Sequence, residues 1–249
     1  MGAANGPADG ESGRVVWVTG AGSGMGRAAA VHAAARGWRV AITGRRREAL
    51  EDAARQVAHA GGEALVIAGD VRAPDLVDQA VGSIEQRWGR LDALVLAAGL
   101  NTPHRTWREQ RFEEFRAVVD TNLVAVAQMI DVALPALRRD GGVVVVVSSY
   151  AAWRFSPGAG VAYSASKAAL ASLCQTLNAE EADHGVRATH LCPGDVNTDF
   201  LLHRPNVPDA DARNVMLSTQ DVARAVQFVL DAPPHVRIDE LVISPVAQR

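Results

Sequence analysis

Short apolar runs alternate with longer amphipathic stretches from one end of the chain to the other. Residues 15–19, 39–43, 64–68, 93–97, 142–148, 186–191 and 240–244 are short, apolar and rich in β-branched side chains, and predict strands. Residues 25–36, 46–60, 75–88, 111–139, 161–184 and 220–230 predict helices. Pro74 stands near the start of the third helix, where a missing N–H costs little, and Pro135 should kink or shorten the fourth. The strands are apolar throughout rather than alternating, which implies a parallel sheet covered on both faces. No linker-like stretch and no repeat divides the chain. It reads as one domain, 14–249, behind a flexible Gly- and Ala-rich tail, 1–13. Residues 101–108 and 199–218 follow strand carboxyl ends, where open α/β sheets bind their ligands.

Composition narrows the function classes. With 249 residues, 48% hydrophobic and 21% charged, the chain is an ordinary globular one. A formal net charge of -3 leaves no electrostatic footprint for nucleic acid or an anionic membrane. No apolar run approaches the roughly 20 residues that span a bilayer, and the N-terminus lacks the basic and apolar regions of a secretory signal. The two cysteines, Cys174 and Cys192, read as reduced and partly buried thiols. A cytoplasmic setting follows, and no metal site is expected.

The first strand runs into Thr19-Gly20-Ala21-Gly22-Ser23-Gly24-Met25-Gly26 and then into a helix. Glycines there let the backbone turn sharply and approach a pyrophosphate, and the helix N-terminus offers free N–H groups. At the end of the second strand stands Gly44, followed by Arg45, Arg46 and Arg47. An acidic residue there would hold ribose hydroxyls and favour NAD. Arginines can pair with a 2′-phosphate instead, and they sit at a helix start that does not itself favour positive charge. NADP(H) is therefore the expected cofactor, with NAD(H) as the alternative.

Tyr163 and Lys167 lie four apart on one helix face. An ammonium beside a phenol favours phenolate and makes Tyr163 a usable acid or base near neutral pH. Ser148 and Ser149 end a strand, where a hydroxyl can donate to a substrate carbonyl or cap a turn. Asn122 interrupts a helical pattern, which suggests either a core amide bonded to backbone or a water-holding bend.

In order and spacing these residues resemble the short-chain dehydrogenase/reductase family, in its compact single-domain branch, over essentially residues 15–249. The matching pieces are the glycine turn, Asp70-Val71, Asn122, Ser149, Tyr163 with Lys167, and Pro193-Gly194 followed by Thr198. The resemblance implies a Rossmann-type α/β fold, a doubly wound parallel sheet of seven strands between two helical layers. It implies that Asp70 and Val71 border the adenine and that Ala98 and Gly99 neighbour the cofactor through their backbone. Pro193, Gly194, Val196 and Thr198 would line the nicotinamide side. Ser149 would orient the substrate, Tyr163 exchange the proton, Lys167 hold the ribose, and Asn122 complete a water-linked relay. Two departures stand out. Leu96-Ala97-Ala98-Gly99 replaces the usual Asn-Asn-Ala-Gly, and the Ser149–Tyr163 interval is one residue longer than expected, which keeps Ser148 in competition.

The expected function is hydride transfer between a nicotinamide and a small carbonyl or alcohol substrate. A cofactor-binding regulatory protein of the same fold is the alternative; an epimerase or dehydratase would need a longer substrate domain. Trp153, Phe155 and Phe200 are candidates for an apolar substrate pocket, although aromatics near a core more often only pack. Surplus apolar residues on the fourth helix, among them Leu123, Val124, Val126, Met129 and Ile130, point to a homodimer or homotetramer.

Overall fold

A computed structural model of the protein describes residues 13–248. The predicted tail lies outside the described residues except for Gly13. Seven parallel strands form one sheet in the order β3-β2-β1-β4-β5-β6-β7. They are β1 (Val15–Thr19), β2 (Arg39–Gly44), β3 (Ala64–Ala68), β4 (Ala93–Leu96), β5 (Val143–Val147), β6 (Arg187–Pro193) and β7 (Glu240–Ile243). Helices α1 (Gly24–Ala34), α2 (Arg47–His59) and α9 (Thr219–Leu230) cover one face. Helices α3 (Pro74–Trp88), α5 (Ala125–Leu137) and α7 (Val161–Glu180) cover the other. This is the expected doubly wound, three-layer α/β fold. The four central strands have no exposed face, which is why they carry no polar alternation.

Strand order reverses between β1 and β4, so their carboxyl ends open a crevice. Several side chains fix the register there. Asp92 accepts from the Val15 backbone N–H at 2.7 Å and anchors the start of β1. Trp17 is fully buried and donates its indole N–H to Thr43 Oγ1 at 2.8 Å, tying β1 to β2. Burial of a ring of that size is worth ~2–3 kcal/mol. The Ala98 N–H donates to Thr19 Oγ1 at 3.3 Å. A threonine hydroxyl on β1 thus steadies the segment where the family's usual amide pair is missing.

The long fourth helix departs from its prediction. It begins as α4 (Phe112–Val119), widens into a π-turn at Asp120–Val124, and continues as α5. The irregularity falls at Asn122 rather than at Pro135, which sits in the last turn of α5, two residues before its end. The whole span Phe112–Leu137 is long and apolar enough by composition to cross a membrane. It is longer than any apolar run read from the sequence, because Asp120 and Asp131 interrupt it. Val118, Val126, Met129, Ala133 and Leu137 pack in the interior, as expected of a central core helix. Of the five residues taken as surplus, Val126, Met129 and Ile130 are buried within this chain and Leu123 is partly buried, which leaves Val124 as the exposed one. Short helices α6 (Tyr150–Trp153) and α8 (Ala210–Asn214) were not anticipated; at four and five residues they are too short for a periodic signal.

Candidate active site

A cavity of about 750 Å³ opens at the carboxyl ends of β1, β2, β3 and β4. Its floor is the turn from β1 to α1. Gly20 has φ +65°, and a Cβ there would come within 2.7 Å of the Ala97 carbonyl oxygen. A Cβ on Gly26 would meet the Gly20 carbonyl oxygen at 2.5 Å. Neither position tolerates a side chain, since the obstacle in each case is backbone. Ser23 precedes α1 without capping it by its side chain, so the first N–H groups of α1 have no side-chain acceptor. Ser23, Gly24, Met25 and Gly26 all line the cavity. An uncapped helix N-terminus over a side-chain-free turn fits a dinucleotide pyrophosphate.

At the far end Arg45 and Arg46 line the cavity beside Gly44, and both are exposed. Asp70 and Val71 line it as well. Arg72, which the sequence did not single out, forks both oxygens of Asp70, with Nη2–Oδ2 at 2.6 Å. The hydrogen bonds from Arg72, opposed by burial, hold the Asp70 carboxyl below its ordinary range, and Arg45 adds to the lowering. This end of the cavity therefore carries three arginines and one compensated carboxylate.

The chemical groups meet where β5 and α7 face the cavity. Tyr163 and Lys167 line it from α7, and Ala98 and Gly99 line it from the end of β4. The Ser149 hydroxyl caps α6, accepting from the Ala151 N–H at 3.2 Å, and its influence on the Tyr163 phenol is to lower it. Ser148 is buried and donates to the Lys167 carbonyl at 3.2 Å. Of the two serines, Ser148 lines the cavity, while Ser149 is the one that acts on the phenol. Asn122 is fully buried in the π-turn: Leu100 N–H donates to its Oδ1 at 2.7 Å, and its Nδ2 donates to Leu100 O at 2.9 Å and Ser166 Oγ at 3.1 Å. Its amide stitches the end of β4 to α7.

The electrostatics differ from the simple Tyr–Lys expectation. Burial pushes the Tyr163 phenol up. Ser149 and the charges of Arg105 and Arg204 pull it back, while Asp195 opposes them. Lys167 Nζ donates to the Val147 carbonyl at 2.8 Å and lies 5.9 Å from the Tyr163 ring centroid. Burial brings the Lys167 ammonium down to about 8.

Several predicted residues sit elsewhere. Trp153 packs edge-on against Tyr150, and Phe155 is 87% exposed, so neither lines the cavity, whereas Phe200 does and tilts toward Tyr163 with ring centroids 6.2 Å apart. Pro193 and Gly194 support the site from behind, the Gly194 N–H donating to Ile243 O at 2.7 Å. Val196 pairs with Leu217, and Thr198 reaches the cavity opposite Gly24. Leu100, Thr121, Leu202 and His203 line it without having been singled out. Leu202 and His203 fall in the 199–218 segment already marked as a ligand-side loop; Thr121 has no signal beyond its neighbour Asn122.

Both cysteines are buried and free, with thiols pushed up to about 12, first of all by burial. Cys192, His190 and Glu240 cluster behind β6. Cys192 Sγ is 3.4 Å and 3.7 Å from the two ring nitrogens of His190, and Glu240 bonds Nδ1 at 3.1 Å.

The sequence profile of the short chain dehydrogenases matches residues 14–206. The chain is 34% identical over 240 residues to a sulfoacetaldehyde reductase from Chromohalobacter salexigens, covering 94% of each protein. The structure superposes on an alcohol dehydrogenase from the archaeon Thermococcus sibiricus, complexed with 5-hydroxy-NADP, with a TM-score of 0.85 and 31% identity over 95% of this chain and 98% of that one. A serine dehydrogenase complexed with NADP+ gives a TM-score of 0.84 at 28% identity, covering 94% of this chain and 96% of its own. Glycine turn, buried asparagine and Tyr–Lys wall thus occur together in a sequence and a fold of one kind, and the chain belongs to the short-chain dehydrogenase family of NAD(P)-dependent oxidoreductases.

Proposed function

We propose that the chain is an NADP(H)-dependent reductase or dehydrogenase of small carbonyl and alcohol compounds, with Tyr163 as its general acid/base. The observation that carries this is that Tyr163 and Lys167 line, from one face of α7, the cavity whose floor is the uncapped start of α1. A bound nicotinamide supplies or takes the hydride. In reduction, negative charge builds on the substrate oxygen. Ser149 and Tyr163 donate hydrogen bonds to it, and Tyr163 delivers the proton. Lys167 holds the nicotinamide ribose. Both amide hydrogens of Asn122 are committed, so a relay water at this position is held by carbonyl oxygens rather than by the amide N–H.

Preference for the phosphorylated cofactor rests on Arg45 and Arg46 lining the cavity next to Gly44. The relatives named for sulfoacetaldehyde and serine point to small, polar substrates for this chain too. The same reading makes residues 14–249 one domain of a cytoplasmic homodimer or homotetramer. Its contact face is formed by α4–α5 and α7, where Phe112 and Val124 are 67% and 52% exposed; light scattering that gives a monomer would reject the oligomer. The deciding experiment is a screen of small aldehydes, ketones and secondary alcohols with both cofactors. Turnover with kcat/KM favouring NADPH, and an Arg45→Asp variant that loses more with NADPH than with NADH, is expected. Tight cofactor binding without turnover on any substrate would leave the regulatory alternative standing, and a clear NADH preference would reverse the cofactor assignment.

A further inference from the structure

Arg105 lies in the loop after β4 and is only 9% exposed. Its Nε donates to Thr102 O at 3.0 Å, its Nη1 to Gly158 O at 2.8 Å and its Nη2 to His203 O at 2.9 Å. Three segments far apart in sequence therefore meet on one guanidinium. The backbone of Arg105 joins in: its carbonyl accepts from Val161 N–H at 3.2 Å, at the first turn of α7. Gly160, which precedes α7, has φ +94°, and a Cβ there would come 2.9 Å from the Arg105 Cβ. The bridge holds the start of the helix that carries Tyr163 and the end of the 3₁₀ segment Asp199–His203, which places Phe200 against Tyr163.

A buried cation is costly when nothing compensates it. Among the described residues, the bonded partners of Arg105 are carbonyl dipoles and none is a carboxylate. Arg204, the neighbouring cation, is paired with Asp195. Carbonyl bridging alone does not call for a full charge at this place. The charge gains a purpose from its effect on the phenol of Tyr163, which it lowers.

We propose that Arg105 is a positioning residue for proton exchange: it clamps the start of α7 to the segment bearing Phe200 so that Tyr163 keeps its place against Phe200 on the cavity wall, and its positive charge acts on the phenol. This rests on the assignment of Tyr163 as acid/base. The phenol titration agrees in direction. Burial raises it, Ser149 lowers it, and Arg105 is the next lowering influence, while Lys167 is turned to Val147 O.

The test is the pH profile of kcat/KM for alcohol oxidation in the full chain, Arg105→Gln, Arg105→Lys and Tyr163→Phe, together with NADPH dissociation constants by fluorescence. Oxidation needs the phenolate, so removing a nearby cation moves the rising limb to higher pH. Arg105→Gln should lower kcat by about tenfold or more and raise the limb by on the order of half a pH unit. Its NADPH dissociation constant should stay within about threefold of the parent's. Arg105→Lys keeps the charge but not the three-way bridge, so it should lose kcat and leave the limb in place. A limb unmoved in Arg105→Gln, or moved as far in Arg105→Lys, overturns the role of Arg105 alone, provided Tyr163→Phe is inactive. Should Arg105→Gln fail to fold, Arg105→Lys decides: a fall in kcat with a fixed limb supports the clamp, and an unchanged kcat overturns it. Turnover retained in Tyr163→Phe would instead reject the acid/base assignment beneath it.

Discussion

The two sides of the cavity are built by different means. The phosphate side is one contiguous strand–turn–helix, 15–34, shaped by backbone and by the side chains that glycines lack. The substrate side draws on residues 100–111, 154–160 and 199–215, which are brought together by side chains reaching across, Arg105 to Gly158 and His203 and Asn101 to Ala159. Two aromatic residues on that side lie at the surface, Trp107 at 80% exposed and Phe155 at 87%. The contrast teaches where generality and specificity reside. A pyrophosphate needs only N–H groups and room, which any chain can supply locally. Recognition of one substrate needs side chains gathered from distant loops, and these can change without disturbing the cradle.

The largest effect should come at the seam between the two sides. Tyr163→Phe removes only the phenol oxygen, so fold and dinucleotide binding should persist while the rate falls by roughly 10²–10⁴-fold. Near-normal turnover on a substrate the parent clearly uses would remove Tyr163 from the chemistry. On the phosphate side, Gly26→Val would drive a side chain into the Gly20 carbonyl, 2.5 Å from an ideal Cβ. A loss of ~1–3 kcal/mol of stability and about a tenfold loss of dinucleotide affinity are expected. Wild-type affinity in that variant would show that the turn can yield.

A smaller effect separates charge from packing at Lys167. Its ammonium sits near 8 in the folded chain against an ordinary value of 10.5. Between those values the folded chain holds fewer protons than the unfolded one, so stability rises with pH through that window, and at pH 7 the buried charge is carried at a cost. Lys167→Met should therefore abolish catalysis yet raise Tm at pH 7 without cofactor. The gap should close between about pH 8 and 10.5. A gap independent of pH would assign it to packing. The smallest effect belongs to Phe155→Ala. With 87% exposure the ring should leave KM within about twofold, and a larger rise would mean that the rim folds inward over substrate.

What the sequence disclosed follows the same division. The central strands were legible because strands buried on both faces are apolar throughout, and the half-buried edge strands β3 and β7 because they are short, apolar and β-branched; the glycine turn, Tyr163 and Lys167 announce themselves by local spacing, and Asn122 as a misfit in a helical pattern. Phe155 and Trp153 were misplaced because apolar character does not say which way a loop residue points. Arg72 and Arg105 went unnoticed because their roles lie in partners. Arg72 answers a carboxylate two residues back, and Arg105 answers carbonyls 53 and 98 residues away. The break in the fourth helix was expected at Pro135, with a bend at Asn122 as one of two readings of that residue; it fell at Asn122, where hydrogen bonds to Leu100 and Ser166 outweigh helical regularity.

That break has a consequence of its own. A π-turn holds one residue more than the α-helical winding around it, and one residue is about 100° of rotation. Val118 on α4 and Met129 and Ala133 on α5 thus belong to two stripes offset around the axis, the first leaning on α7 and the second on the sheet and α3. A chain lacking that one residue would wind straight through, and α4 would turn a different side toward the catalytic helix. The phase of the longest helix is set at a single buried amide.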